Sequence, residues 1–395
     1  MNVLVINAGS SSLKYQLMNV DTQEVLAKGI CERVGSNEAF HKYGLNSEFK
    51  DETPMKDHDA AIGLVIDALT SGPSKAVESL SEIQAVGHRV VQGGKFYPKS
   101  VLITNEVIKK IEELSTLAPL HNPPALMGIS ACQKHMPGVP MVAVFDTSFF
   151  QTLEEKMYLY PIPYELYEKY DIRKYGAHGT SHRYVSERAI ELLGNPAESK
   201  VITLHLGNGC SASAVKNGVA IDTSMGLTPL DGLMMGTRCG AIDPAIVPFV
   251  MDLENLTTDE INTLMNKKSG LLGISGVSND LRSVEEAGNN GNQRANLAMD
   301  MYAASVKKYI GIYMADLGGV DCIAFTAGIG ENSDDMRMRI ITGLEGLGIK
   351  LDLDKNAVRG GERVISTDDS PVKVMVIPTD EEYMIARDTF EIVAG

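Results

Sequence analysis

Short apolar runs alternate with amphipathic stretches along the whole chain. Val3 to Ile6 reads as a buried strand broken by Gly9 and a serine cluster, and Leu13 to Val20 returns as a second strand toward a turn at Asp21-Thr22. The pair predicts a β-hairpin whose turn region is loaded with Asn7, Ser10, Ser11, Ser12 and Lys14. Asn105 is expected to cap a helix carrying Val107, Ile108, Ile111, Leu114 and Leu117 at helical spacing. Pro123 and Pro124 sit where a further helix starts, running through Ala125 to His135. Met141 to Phe145 then forms an apolar strand ending on the carboxylate of Asp146.

The second half opens the same way. Val201 to Leu206 is an apolar strand ending at Gly207-Asn208-Gly209, and Ser211 to Val215 returns toward Asn217-Gly218, a strong hairpin signal. Matching Asn7-Ala8-Gly9-Ser10 to His205-Leu206-Gly207-Asn208 makes the two hairpins coincide. The strand Val142 to Asp146 is matched by Cys322 to Thr326, which runs into Ala327-Gly328-Ile329-Gly330. Two β-rich units with one order of elements imply an internal duplication. The expected division is a first domain over residues 1–150 and a second over 151–382. Asp380 to Val393 reads as a closing helix, of which about residues 383–395 pack back on the first domain.

Composition narrows the partners. A formal charge of −15 disfavours nucleic acid and acidic membranes, yet a few arginines can still hold a small anion. The five cysteines are scattered without a CxxC pair, which points to buried thiols in a reducing cytosol rather than zinc ligands or disulfides. The N-terminal apolar run lacks a basic flank and is far too short to span a bilayer, so a cytoplasmic protein without a membrane partner is expected.

Three turn clusters could cradle phosphates: Asn7 to Lys14, Gly207 to Ser213, and Gly328 to Asn332. Glycine and serine there let backbone N–H groups converge on an anion. No GxxxxGK[ST] occurs, which excludes a Walker-type loop. Gly207-Asn208-Gly209-Cys210-Ser211-Ala212 fits a dinucleotide fingerprint, the basis of a distant alternative, a nicotinamide-dependent oxidoreductase. That fingerprint needs a helix after its glycines, and the following residues read as a strand. Gly328-Ile329-Gly330 is expected to precede a helix from Ser333 to Leu344. His178-Gly179-Thr180-Ser181-His182 reads as a turn entering a helix; His178 is either a phosphate donor or a structural histidine. Arg89 and Arg238 lie in apolar or glycine-rich surroundings. Each either pairs with an internal carboxylate or clamps a bound carboxylate or phosphate.

Taken together, these segments resemble the acetate kinase family, within the sugar kinase, Hsp70 and actin superfamily. The matching stretches run in order through nearly the whole chain: Val5 to Lys14, Gly87-His88-Arg89-Val90-Val91, Ala118 to Pro123, Phe145-Asp146-Thr147, Tyr175-Gly176 with His178 to His182, His205 to Gly209, Asp222 to Gly226, Gly236-Thr237-Arg238, Ala327 to Asn332, and Asp380-Glu381-Glu382. The resemblance implies a duplicated actin-like (ribonuclease H-like) α/β fold with mixed sheets and an active-site cleft between its halves. It implies a homodimer, ATP as co-substrate, acetate as acceptor, and ADP and acetyl phosphate as products. Carried over by position, Asn7 and Glu381 serve Mg²⁺ or Mn²⁺. Arg89, Val91, Leu120 and His121 meet the acid. Asp146, His178, Arg238 and Arg89 form the catalytic set. Lys14, His205, Leu206, Gly207, Asn208, Gly209, Asp280, Leu281, Arg282, Gly328, Ile329, Gly330, Glu331 and Asn332 line the nucleotide.

The chain departs from the family pattern at Gln92, Phe150 and Ala177, positions that usually carry histidine, histidine and phenylalanine. The last places the preference for acetate over propionate or a broader set of short acids in question. A nucleotide switch on the same fold is a further rival, but it leaves the paired arginines and His178 without a purpose.

Overall fold

The computed structural model describes residues 1–45 and 48–395, and these divide into two compact units. One comprises Met1–Gln151 together with Asp380–Gly395, the other Thr152–Thr379.

In the first unit, β1 (Asn2–Ala8) and β2 (Ser12–Asn19) form the expected hairpin, with Asn7 opposite Lys14. The sheet continues outward through β3 (Glu24–Glu32), β4 (Phe40–Tyr43) and β5 (Phe49–Glu52), all antiparallel. On the other side of β1 lie β6 (Ala85–Val90) and β8 (Met141–Phe145), both parallel, with the short β7 (Val101–Leu102) at the edge. The central strands are apolar on both faces because both are covered. The helix Glu381–Ala394 packs on β1, β6 and β8 through Ile385 and Ala386, against Val3, Val5, Val142 and Val144. Gly87 permits that approach, since a Cβ there would lie 2.6 Å from Ile385 Cγ2. The helices His58–Thr70 and Asn122–His135 cover the opposite face.

In the second unit, β9 (Lys200–Leu206), β10 (Cys210–Lys216) and β11 (Val219–Thr223) form an antiparallel meander. Asn217 and Gly218 turn it with φ of 53° and 77°, as a two-residue hairpin loop requires. β12 (Cys322–Thr326) and β14 (Lys373–Val376) add in parallel beyond β9, and β13 (Arg363–Val364) closes the edge. The helix Gln293–Leu317 buries Tyr302, Val306, Ile310 and Tyr313 in this unit's core.

The duplication is visible in the sheets. The order β3-β2-β1-β6-β8 in one repeats as β11-β10-β9-β12-β14 in the other, with the same strand senses. Each is the mixed sheet of an actin-like unit. One expected correspondence is corrected: β12 lies beside β9 as β6 lies beside β1, so the counterpart of β8 is β14 and not β12. Pairing is set by neighbours far along the chain, and the strands' own apolar sequences do not encode it.

Two local expectations also shift. The cap of the helix Asn105–Glu113 is Thr104, whose extended backbone lets its hydroxyl accept from Val107 N. The segment Ala327–Asn332 is itself helical, and a second helix, Asp334–Ile341, follows under the Ser333 cap. Among the described residues no helix is long and apolar enough to cross a membrane.

Candidate active site

In the first unit the parallel strands carry their polar residues to one end. β6 delivers Arg89, and Asp146 follows β8 with its N–H bonded to Val90 O at 2.9 Å. The Arg89 fork closes on that carboxylate, Nε to Oδ1 at 3.0 Å and Nη2 to Oδ2 at 2.6 Å. Its Nη1 reaches Asn7 Oδ1 on β1 at 3.5 Å, and Glu381 Oε2 lies 3.8 Å from Nε. Burial works against the Arg89 charge, but Asp146 and Glu381 outweigh it and hold the guanidinium charged. The Glu381 carboxyl is pushed up to about 7, by burial first; Arg89 pulls the other way, and Asp146 and Glu382 add repulsion.

Asn122, not anticipated from sequence, fixes the loop after β6. It is fully buried, accepts from Gln92 N at 3.1 Å and donates to Gln92 O at 3.0 Å. Val91, the residue after β6, is half-buried. Leu120 is 63% exposed in the turn before the helix Asn122–His135, and His121 occupies its cap position. Lys14 is exposed on β2 opposite Asn7.

In the second unit a pocket of about 500 Å³ is walled by Gly207, Asn208, Asp280, Leu281, Arg282, Gly328, Ile329 and Asn332, drawn from all three expected segments. Asn279, Glu285, Ser333 and Arg359 complete it and were not anticipated. Asn279 adjoins an expected residue, whereas Arg359 lies in a stretch with no periodicity to mark it. His205, Leu206, Gly209, Gly330 and Glu331 are not part of that wall. Leu206 is core, and Glu331 Oε1 accepts from Thr379 N at 3.4 Å. Behind the wall, fully buried Arg337 donates to Gly330 O at 2.9 Å and Glu331 O at 3.0 Å, satisfying the end of the short helix Ala327–Asn332.

After the glycines of Gly207-Asn208-Gly209 comes β10, a strand, so the helix N-terminus that a dinucleotide fingerprint requires is not formed there. Instead, Gly209 marks a crowded point. A Cβ on it would stand 3.1 Å from Arg238 Nη2 and 3.5 Å from His178 Cε1. Arg238 donates Nη1 to Pro229 O at 2.6 Å and has no carboxylate partner among the described residues. Burial lowers its pKa, opposed only by the Cys210 thiol. His178 caps the helix Gly179–Leu192 at φ 58°, and Ala327 takes φ 63° at the end of β12. Left-handed backbone at non-glycine residues costs about 1–3 kcal/mol each and collects at functional sites. The His178 ring stacks on His205, centroids 4.2 Å apart, and its Nδ1 lies 2.8 Å from Ser211 Oγ. Ala177 beside it belongs to the second unit's buried core.

A doubled actin-like fold, with a glycine-walled pocket at strand ends and a half-buried arginine that has no carboxylate partner among the described residues, is the architecture of a phosphotransferase. The chain belongs to the acetokinase family, whose profile matches residues 2–387. It is 57% identical to the acetate kinase of Caldanaerobacter subterraneus subsp. tengcongensis, covering 100% of both chains. Among solved structures it superposes on the acetate kinase of Porphyromonas gingivalis with a TM-score of 0.95 at 49% identity, and on a propionate kinase from Francisella tularensis with 0.93 at 43%; each comparison covers 99% of both chains.

Proposed function

We propose that this chain transfers the γ-phosphoryl group of ATP directly to the carboxylate of acetate, reversibly, giving acetyl phosphate and ADP. The observation that carries the reading is Arg238, a half-buried guanidinium beside Gly209 and His178 with a single carbonyl partner. Its remaining donors suit an anion, because partial burial already disfavours its charge and no carboxylate among the described residues offsets that.

An acetate carboxylate is already ionised at neutral pH, so the attack needs no general base. What the chain must supply is alignment of two anions and neutralisation of the moving phosphoryl. Arg89, held in one orientation by Asp146, offers an Nη1 N–H to the acid, with Val91, Leu120 and His121 around it. Arg238 and His178 donate to the phosphoryl oxygens as charge builds there. The pocket at Gly207, Asp280 and Gly328 takes the nucleotide.

The donors around Arg89 fit Mg²⁺ or Mn²⁺. Asn7, Asp146 and Glu381 offer hard oxygens close together around Arg89. Among the described residues no three His, Cys, Asp or Glu side chains group into a self-sufficient metal site. Mg²⁺ usually takes one or two protein carboxylates and completes its shell with water and phosphate. When bound, it supplies positive charge to the phosphate oxygens.

Propionate is the second acid to consider, given the likeness to a propionate kinase. One methylene changes selectivity by only about 1–3 kcal/mol. The helix Ile246–Glu254 buries none of its residues, leaving Phe249 and Leu253 each 63% exposed, and a second copy of the chain is the partner assigned to it. Trapping product with hydroxylamine over a series of acids and nucleotides tests the activity: acyl hydroxamate is expected with ATP and acetate, and its absence would refute the reading.

A further inference from the structure

Ser211 is fully buried, and its one hydroxyl stands between two imidazoles. His178 Nδ1 lies 2.8 Å from Ser211 Oγ, and His182 Nε2 lies 2.7 Å from the same oxygen. His182 is itself fully buried, with Nδ1 2.6 Å from the hydroxyl of buried Thr203. The helix Gly179–Leu192 sets the two histidines one turn apart, and β9 and β10 bring Thr203 and Ser211 against them. The function above uses His178 and none of the other three.

A hydroxyl carries one proton, so Ser211 donates to one histidine and accepts from the other. A neutral imidazole has one N–H and one acceptor nitrogen, so this choice orders both rings. In one order Thr203 donates to His182 Nδ1, His182 Nε2–H donates to Ser211, and Ser211 donates to His178 Nδ1. The His178 proton is then on Nε2. In the reverse order His178 spends its Nδ1–H on Ser211 and presents a bare Nε2, which a phosphoryl oxygen repels. Burial, helped by nearby His205, keeps His182 neutral, as either order requires. His205 is supplied in the same manner: Thr379 donates to Ser181 Oγ at 2.8 Å, and that hydroxyl lies 2.8 Å from His205 Nδ1. The two rings stack with 4.2 Å between centroids, so charging both at once would set like charges face to face.

We propose that Ser211, His182 and Thr203 are positioning residues that hold His178 as the neutral tautomer with its proton on Nε2, so that it donates to the phosphoryl oxygens without first being protonated. The inference rests on the donor role assigned to His178.

The test combines kinetics with imidazole ¹⁵N NMR of the full-length protein bound to acetyl phosphate alone. Wild type should show His178 protonated at Nε2 and bare at Nδ1, and Ser211→Ala should show a mixture. Turnover of Ser211→Ala should fall roughly 10- to 10²-fold, part of the loss expected for a whole catalytic donor. KM for ATP and acetate should change less than about threefold, because the loss belongs to the transition state. His182→Gln, which keeps an N–H for Ser211, should retain most of the turnover, whereas His182→Phe should fall as Ser211→Ala does. A simple packing role predicts no such split and no tautomer change. A wild-type His178 protonated at Nδ1 overturns the proposal, even if the variants fold poorly. A fully active Ser211→Ala beside an inactive His178→Ala overturns it alone, while a fully active His178→Ala removes the donor role beneath it.

Discussion

Arg89 and Asp146 are joined by two parallel hydrogen bonds, 3.0 and 2.6 Å long, that tie β6 to the residue after β8. Asp146 is 1% exposed while Arg89 keeps 20% of its side chain accessible, so the carboxylate acts from beneath and aims the arginine outward. Asp146→Asn preserves shape but removes the charge that fixes the fork. Turnover should drop roughly 10²-fold or more. Stability should fall by at most about 3 kcal/mol, the lower end for a broken buried pair, because Arg89 still reaches Glu381 and solvent. Urea unfolding and the hydroxylamine assay measure both; unchanged turnover would remove Asp146 from the site.

Arg238→Ala should lower kcat by roughly 10³–10⁵, the range for arginines that meet a transferring phosphoryl group. The KM for ATP should move far less. Arg238→Lys should recover little, since a single ammonium cannot reproduce the planar fork. Near-normal turnover in the alanine variant would disprove the assignment.

Direct transfer requires both substrates to be bound together. Initial rates at varied ATP and acetate should give intersecting lines in double-reciprocal plots. Parallel lines, with γ-phosphate label retained on a protein carboxylate, would establish a phosphoenzyme instead.

Acid sensitivity follows from three buried histidines. Burial lowers His88 to about 3, His41 to about 4 despite opposition from Asp51, and His182 well below its ordinary value. Each is neutral when folded but binds a proton near pH 6.5 when unfolded. The unfolded state therefore holds more protons below that pH, and stability declines as pH falls. From pH 7.5 to 5.5 the three together should cost about 4 kcal/mol. His88→Leu should flatten the slope by about one third, measured by denaturant unfolding at a series of pH values. His88 is the cleanest probe, because its Nε2 is buried without a hydrogen-bond partner.

If a second copy covers the helix Ile246–Glu254, charge on its apolar face should prevent association. Phe249→Glu with Leu253→Glu should shift the mass in light scattering from dimer to monomer. A wild-type monomer at micromolar concentration would refute the pairing.

Both hairpins and the helices that start near residues 105, 123, 334 and 381 were legible in the sequence, because they rest on local periodicity and turn chemistry. Asn217-Gly218 needs no distant partner to adopt positive φ. Even locally the reading slipped where neighbours compete. Thr104 and Asn105 can both cap, and the backbone at Thr104 decided for it. Glycines at 328 and 330 read as loop, yet they lie in a short helix whose end is satisfied by Arg337.

The sequence by itself determined the family, through charged and glycine-rich motifs kept in order, and with it a duplicated α/β fold. Only the tertiary structure decided which strand neighbours which, and so that β14, not β12, answers to β8. It also decided that Asn122 braces the loop after Arg89, that Glu285, Ser333 and Arg359 join the pocket, and that Ser211 stands between His178 and His182. Such relations join residues tens to hundreds of positions apart. They depend on strand order and burial, which apolar strands of similar composition satisfy in many ways until the whole core is packed.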